Sequence, residues 1–193
     1  MIKSIGITGS IASGKSSIVR FLEILEFPVF NADLAGRELL QSPQIIKQIT
    51  VHFGLEVMNG KNIDRKKLAN IVFQDEKKLK TLNSIIHPAV IESFLKWKSN
   101  QKSTLVFHES AIIFEHQLEY LFDKIICVYA PEELCLQRAM KRDQASIEEI
   151  NNRLKNQLNP EEKCKRADFT ILNDEKTAII PQVLSIVEKI QNS

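Results

Sequence analysis

The sequence predicts an α/β fold in which a parallel sheet is covered by helices on both faces. Three observations carry that prediction. Short apolar runs alternate with amphipathic helical segments, a glycine-rich loop links the first run to the first such segment, and polar residues gather just past the ends of the apolar runs.

The elements follow in order. Ile2 to Thr8 is rich in isoleucine and runs into Gly9, which reads as a buried strand. Ile18, Phe21, Leu22 and Leu25 then fall at i, i+3, i+4 and i+7, one apolar face of a helix from about Lys15 to Glu26. Pro28 opens a second short strand, Val29 and Phe30, that ends at Asn31-Ala32-Asp33. From Leu34 to about Lys98 the chain is mostly helical and charged, with breaks expected at Pro43, Gly54, Gly60 and Pro88; this reads as a helical insertion. Three more strands are expected at Thr104 to His108, Lys124 to Tyr129 and Phe169 to Leu172. Between the last two lies a polar stretch, Pro131 to Arg166, with two helical periods punctuated by Pro160, and Pro181 to Ile190 forms a final helix. Gly9, Asp33, Glu109, Pro131 and Asn173 all follow a strand's carboxyl end, the edge where open α/β sheets bind ligands, and are expected to share one rim.

Composition narrows the function class. A chain of 193 residues, 44% hydrophobic and 26% charged, suits one α/β domain with room for an insertion, and argues against disorder. A net charge of +2 is too small to imply a nucleic-acid partner. Basic residues do concentrate locally, with eight Lys or Arg against five Asp or Glu over 137–166, so that segment suits an anion. Cys127, Cys135 and Cys164 are widely spaced and form no CxxC or Cys/His pattern, which points to reduced thiols. With no leader pattern and no apolar run near the eighteen or so residues of a membrane span, a cytoplasmic location without a membrane partner is expected.

The loop GSIASGKSS, Gly9 to Ser17, carries the full G-x4-G-K-S pattern. Glycines let backbone amides turn around phosphate oxygens, and the following helix aims its positive end at them. Gly9, Ala12, Ser13, Gly14, Lys15, Ser16 and Ser17 are therefore the candidate nucleotide-binding residues, with Lys15 reaching the outer phosphates and the Ser16 hydroxyl on Mg²⁺. The bland alternative is a glycine turn with an incidental lysine. Ala12 carries a Cβ that disfavours left-handed backbone by about 1 kcal/mol, so a negative φ is expected there.

Switches, motors and kinases share this loop. Asp33-Leu34-Ala35-Gly36 imitates a switch element, but no NKxD or TKxD base-reading element occurs. Leu105-Val106-Phe107 leads to His108-Glu109-Ser110 rather than the Asp-Glu of a motor. A small-molecule kinase needs a carboxylate for the acceptor hydroxyl and cations on a lid; Asp33 and the pair Arg138 and Arg142, spaced i, i+4, fit those roles. The bland reading of Asp33 is a helix N-cap, which is compatible with that role, and that of the arginines is a solvated face.

With these residues in place, the sequence resembles the dephospho-CoA kinase family over nearly its whole length. The resemblance rests on Ile5 to Ser16, Asn31-Ala32-Asp33 with Arg37, Ile63-Asp64-Arg65, Ile71-Val72-Phe73, Ile86-His87-Pro88, Ile113-Phe114-Glu115, Gln137-Arg138 with Arg142-Asp143 and Ser146, Arg153 with Gln157, and Ala167-Asp168 through Asn173. It implies a three-layer phosphate-loop kinase core with sheet order 2-3-1-4-5, built from 1–33, 100–135 and 165–193. It also implies a helical acceptor-binding region over 34–98 and a lid over 136–164, all in a single kinase unit. The implied reaction is phosphorylation of the ribose 3′-hydroxyl of dephospho-CoA by ATP with Mg²⁺. Asp33 takes the hydroxyl proton, Lys15 and Ser16 hold phosphate and metal, and Arg138 and Arg142 act from the lid. Arg65, His87, Phe114 and Glu115 map to the acceptor side, Asn173 is placed by position for the ATP base, and a monomer or weak homo-oligomer is implied. Ser10, Asn31 and Ala111 depart from the common glycine, aspartate and proline of the family. Because Asn31 lacks a carboxylate, Glu109 becomes a candidate for holding the metal's waters. A kinase for another hydroxyl, such as a nucleoside or a sugar acid, is the second reading, and a nucleotide-dependent switch the third.

Overall fold

A computed structural model of the chain describes residues 2–72, 74–144, 146–155 and 157–192, without the side chains of Asn151 and Arg153. Phe73 and the side chain of Arg153, both from the family-like stretches, lie outside the described residues. By its contacts the chain divides into two compact units, Met1–Phe30 with Gln101–Ser193, and Asn31–Asn100.

The first unit is built on β1 (Lys3–Thr8), a strand buried from Ser4 to Thr8. It pairs in parallel with β5 (Leu105–Glu109) on one side and β6 (Lys124–Tyr129) on the other, and β6 pairs in parallel with β7 (Phe169–Leu172). With β2 (Val29–Asn31) at the far edge the order is β2-β5-β1-β6-β7. A two-stranded hairpin of β3 (Met58–Asn59) and β4 (Asn62–Ile63) interrupts the numbering, so the five sheet strands counted among themselves run 2-3-1-4-5.

Side-chain alternation divides the sheet's two faces. Ile5, Ile7, Leu105, Phe107, Ile126, Val128 and Ile171 pack with Ile18 and Leu22 of α1 (Lys15–Ile24) and with Val183, Ile186, Val187 and Ile190 of α9 (Ile179–Gln191). The opposite face carries a smaller cluster of Ile113, Phe114 and Ile125 with Phe122 and Leu118. Helices α6 (Glu132–Asp143), α7 (Ile147–Leu154) and α8 (Pro160–Arg166) fill the segment between β6 and β7, one helix more than its two periods suggested. Pro160 starts α8 rather than interrupting a helix, because a first-turn proline sacrifices no hydrogen bond and Asn159 Oδ1 caps the amides of Glu161 and Glu162.

The second unit holds α2 (Ala32–Leu39), α3 (Pro43–Phe53), the hairpin β3 (Met58–Asn59) and β4 (Asn62–Ile63), α4 (Arg65–Val72) and α5 (Glu76–Ser99). Ile45, Ile49 and Phe53, one per turn of α3, close its core with Val57, Ile63, Leu68, Val72 and Ile85. Gly54 ends α3 at φ 78° and Gly60 turns the hairpin at φ 61°, both as expected of chain breaks. Pro88 does not break its helix. It lies inside the 24-residue α5, where the burial of Ile85 and Phe94 on either side outweighs the roughly 3 kcal/mol an interior proline costs.

Candidate active site

The loop between β1 and α1 folds around two close approaches that exclude side chains. A Cβ on Gly9, whose φ is 146°, would lie 2.3 Å from the Val128 carbonyl oxygen. One on Gly14, the left-handed N-cap of α1 at φ 101°, would lie 1.9 Å from Asn173 Nδ2. Asn173, at the end of β7, donates that Nδ2–H to the Ser13 carbonyl at 2.7 Å and its backbone N–H to the Tyr129 carbonyl at 2.8 Å. Its amide braces the loop, a task that its placement for the ATP base did not foresee.

Ala12 corrects the sequence expectation, since its φ is +57°. The reversal from Ile11 to Ser13 requires a left-handed residue, and the Ser13 N–H closes a turn onto the Ser10 carbonyl at 3.1 Å. The Lys15 ammonium, 9% exposed, tightens the same turn by donating to the carbonyls of Gly9 at 2.9 Å and Ser10 at 3.0 Å. These bonds offset the roughly 1–2 kcal/mol that an L-residue loses there.

A cavity of about 360 Å³ opens over the loop, lined by Ala12, Gly14, Lys15, Ser16, Ser17, Glu109, Arg138, Arg142 and Asn173. The fold thus brings together the loop, a carboxylate from the end of β5 and two arginines one turn apart on α6. Two further features fit an anion of several phosphates. The helix α1 begins here with no side-chain cap on its amides, and the buried hydroxyls of Ser10 and Ser13 have no hydrogen-bond partner. For Mg²⁺ the fit is through hard oxygen donors, the exposed Ser16 hydroxyl and the Glu109 carboxylate, which suits an ion carried by phosphates and waters. Among the described residues no group of three or more His, Cys, Asp or Glu side chains could hold a metal ion.

The arginines are held differently. Arg138 donates to Glu175 Oε1 at 3.0 Å and to the Asn173 carbonyl at 3.4 Å, which ties it to the brace. Arg142, exposed in the last turn of α6, forms a two-bond pair with its neighbour Asp143 at 2.8 and 3.1 Å. Beside Glu109, His108 is 2% exposed with the rings of Phe30 and Phe122 at 5.3 and 5.1 Å, and burial pushes its pKa down to about 4.

Other candidates have different surroundings. Asp33 belongs to the Asn31–Asn100 unit and is exposed in the first turn of α2, but it is not the cap; Asn31 Oδ1 takes that role, accepting the Leu34 N–H at 2.8 Å. Arg65 starts α4 and lines a cavity of about 950 Å³ within that unit, with Asn59, Asp64 and Asn83 on its polar side and Leu68, Leu79 and Leu82 on its apolar side. His87 is half-buried in α5. Phe114 is 3% exposed and covered by the Arg166 guanidinium at 4.6 Å, which makes it core.

Glu115 is the clearest surprise. Its Oε1 pairs with the Lys163 ammonium at 2.7 Å and accepts the Leu158 N–H at 2.9 Å. Lys163, fully buried, also donates to the Ala111 carbonyl at 2.7 Å. The pair fastens α8 to the turn after β5, and removing either partner strands a buried charge. Gln157, quoted above only as part of a pattern, accepts the Ile11 N–H on its Oε1 at 3.1 Å and so links the segment before α8 to the phosphate loop.

A family model described as dephospho-CoA kinase matches residues 3–178. A dephospho-CoA kinase of Bacteroides fragilis (strain YCH46) is 39% identical over 189 residues, covering 97% of this chain and 92% of that one. The crystal structure of TT1252 from Thermus thermophilus superposes with a TM-score of 0.85 at 30% identity, covering 99% and 97% of the two chains. Dephospho-CoA kinase from Campylobacter jejuni superposes at 0.68 with 33% identity, covering 99% and 96%.

Proposed function

The chain belongs to the dephospho-CoA kinase family, and from that premise we propose how its residues divide the ATP-dependent phosphorylation of dephospho-CoA. The observation that carries the assignment is the single cavity shared by the phosphate loop, Glu109, Arg138 and Arg142. Phosphoryl transfer calls for positioning and for stabilisation of charge spread over the transferring group, and this cavity gathers the groups that supply both.

Loop amides and the α1 N-terminus hold the β- and γ-phosphates. Lys15 moves its ammonium from the Gly9 and Ser10 carbonyls to phosphate oxygens, which keeps the buried charge paired throughout. Arg142 exchanges Asp143 for the γ-phosphoryl oxygens, while Arg138 keeps the brace in place and adds charge nearby. Ser16 and Glu109 are the residues that fit Mg²⁺, which when bound neutralises charge on the phosphates. Asp33 orients the 3′-hydroxyl of the ribose and accepts its proton. The Asn31–Asn100 unit binds the acceptor, with the cavity beside Arg65 as the binding surface, and residues 136–164 act as the lid that keeps water from the γ-phosphate. The reading includes a cytoplasmic enzyme, monomeric or weakly associating. In its favour, the three cysteines are free thiols and no helix among the described residues is long and apolar enough to cross a membrane.

ADP release is measured with dephospho-CoA, adenosine, gluconate and no acceptor. Release dependent on dephospho-CoA, with the new phosphate on the 3′-oxygen, is the expected result. Release without an acceptor, or a preference for adenosine or gluconate, overturns the substrate assignment.

A further inference from the structure

We propose that Cys127 and Cys164 are an oxidisable thiol pair that closes reversibly to a disulfide, tying α8 to β6 and slowing turnover. Alternation along β6 places Ile126 and Val128 in the core with α1 and α9, so Cys127 and Tyr129 face the other side of the sheet. Helix α8 lies against that side. Tyr129 Oη donates to Glu161 Oε1 at 3.3 Å, and one turn along, Cys164 Sγ stands 3.1 Å from Cys127 Sγ. Both thiols are free, Cys127 is buried, and Cys164 is partly exposed.

The chemistry follows from that difference in exposure. The Cys164 thiolate is the one a low-molecular-weight disulfide reaches; it attacks one sulfur, forms a mixed disulfide and releases one thiol. Cys127 then attacks Cys164 Sγ, its proton passing to the departing sulfur, and the second small thiol leaves. Two protein thiols are oxidised and one external disulfide is reduced to two thiols, so the exchange balances. Cys135, buried with its Sγ–H on the Ala130 carbonyl at 3.6 Å, takes no part.

A disulfide brings its sulfurs to about 2.05 Å, so closure draws the two together by about 1 Å. Helix α8 has little slack for this, because Lys163, beside Cys164, is pinned at 2.7 Å to both Glu115 and the Ala111 carbonyl. The shift passes into residues 157 and 158, which hold the loop and Glu115. The slowing of turnover rests on the lid reading given above; the disulfide does not.

The full-length protein is incubated with excess oxidised glutathione, and its free thiols, intact mass and cross-linked peptides are read. The expected result is a fall from three thiols to one, loss of two hydrogens, a peptide joining Cys127 to Cys164, and a several-fold drop in turnover that dithiothreitol reverses. Cys164→Ser should fold and turn over at the same rate with and without the oxidant. Three titratable thiols after treatment, a stable glutathione adduct at Cys164, or a bridge through Cys135 overturns the pair. A Cys127–Cys164 bridge with unchanged turnover refutes the slowing, and reduced enzyme inactive on dephospho-CoA refutes the kinase reading instead.

Discussion

Lys15 and Arg142 bring positive charge to the same cavity from two regions built on opposite plans. The loop after β1 is closed by its own contacts: Lys15 is buried on the loop's own carbonyls, Asn173 braces Ser13, and Gly14 leaves no room for a methyl group. The end of α6 follows the other plan. Arg142 is exposed and pairs with its immediate neighbour in sequence, a bond that stabilises little against water. On the proposed reading, the contrast separates groups that recognise phosphate by a fixed shape from groups that engage the substrate from the lid.

If exposed groups supply chemistry and buried ones supply shape, Asp33→Asn should lower turnover by about 10² to 10⁴ and leave ATP affinity nearly unchanged. Comparing kcat with the ATP dissociation constant checks this; near-normal turnover removes Asp33 from the mechanism. Gly14→Ala attacks the fixed shape directly, since its Cβ would collide with Asn173 Nδ2. A loss of about 10²-fold in kcat/KM for ATP is expected from the displaced loop, with weaker nucleotide binding by calorimetry. The arginines sharpen the contrast within one helix. Arg142→Ala should cut turnover by about 10²-fold with an unchanged melting temperature. Arg138→Ala should lower both, because Arg138 also holds Asn173.

The last effect is on stability rather than turnover and concerns β5, which carries Glu109. His108 is held neutral by burial, with a pKa of about 4 against an ordinary 6.5. Between those values the unfolded chain binds a proton that the folded one excludes, so stability falls as pH drops from 6.5 toward 4. The full loss attributable to this group is about 3 kcal/mol, and denaturant titrations of the native protein and of His108→Leu across that range measure its share of the slope.

What could be read beforehand was what lies close together in sequence. The strand, loop and helix from Lys3 to Ile24, and the i, i+4 arginines, are local patterns with local causes. The missed features depend on distant partners. Ala12 adopts positive φ because Lys15 and Ser10 close the turn around it, and propensity alone contains no such bond. Pro88 is tolerated because its helix is packed on both sides of it. Glu115 reads as an acceptor-side carboxylate until Lys163, 48 positions away by their numbers, occupies it. The facing of Cys127 and Cys164 follows from which side of β6 meets α8, a fact of packing that no spacing rule encodes.

The bond from Ile11 to Gln157 gives the phosphate loop a thermodynamic connection to the chain that leads into α8. A contact made in one arrangement of the loop and weakened in another is an energy difference shared by both ends. If nucleotide binding favours one arrangement, then fixing the far end in the matching place must raise nucleotide affinity by the same factor. On the lid reading proposed above, the glutamine makes nucleotide occupancy of the loop and order in the lid two readings of one equilibrium.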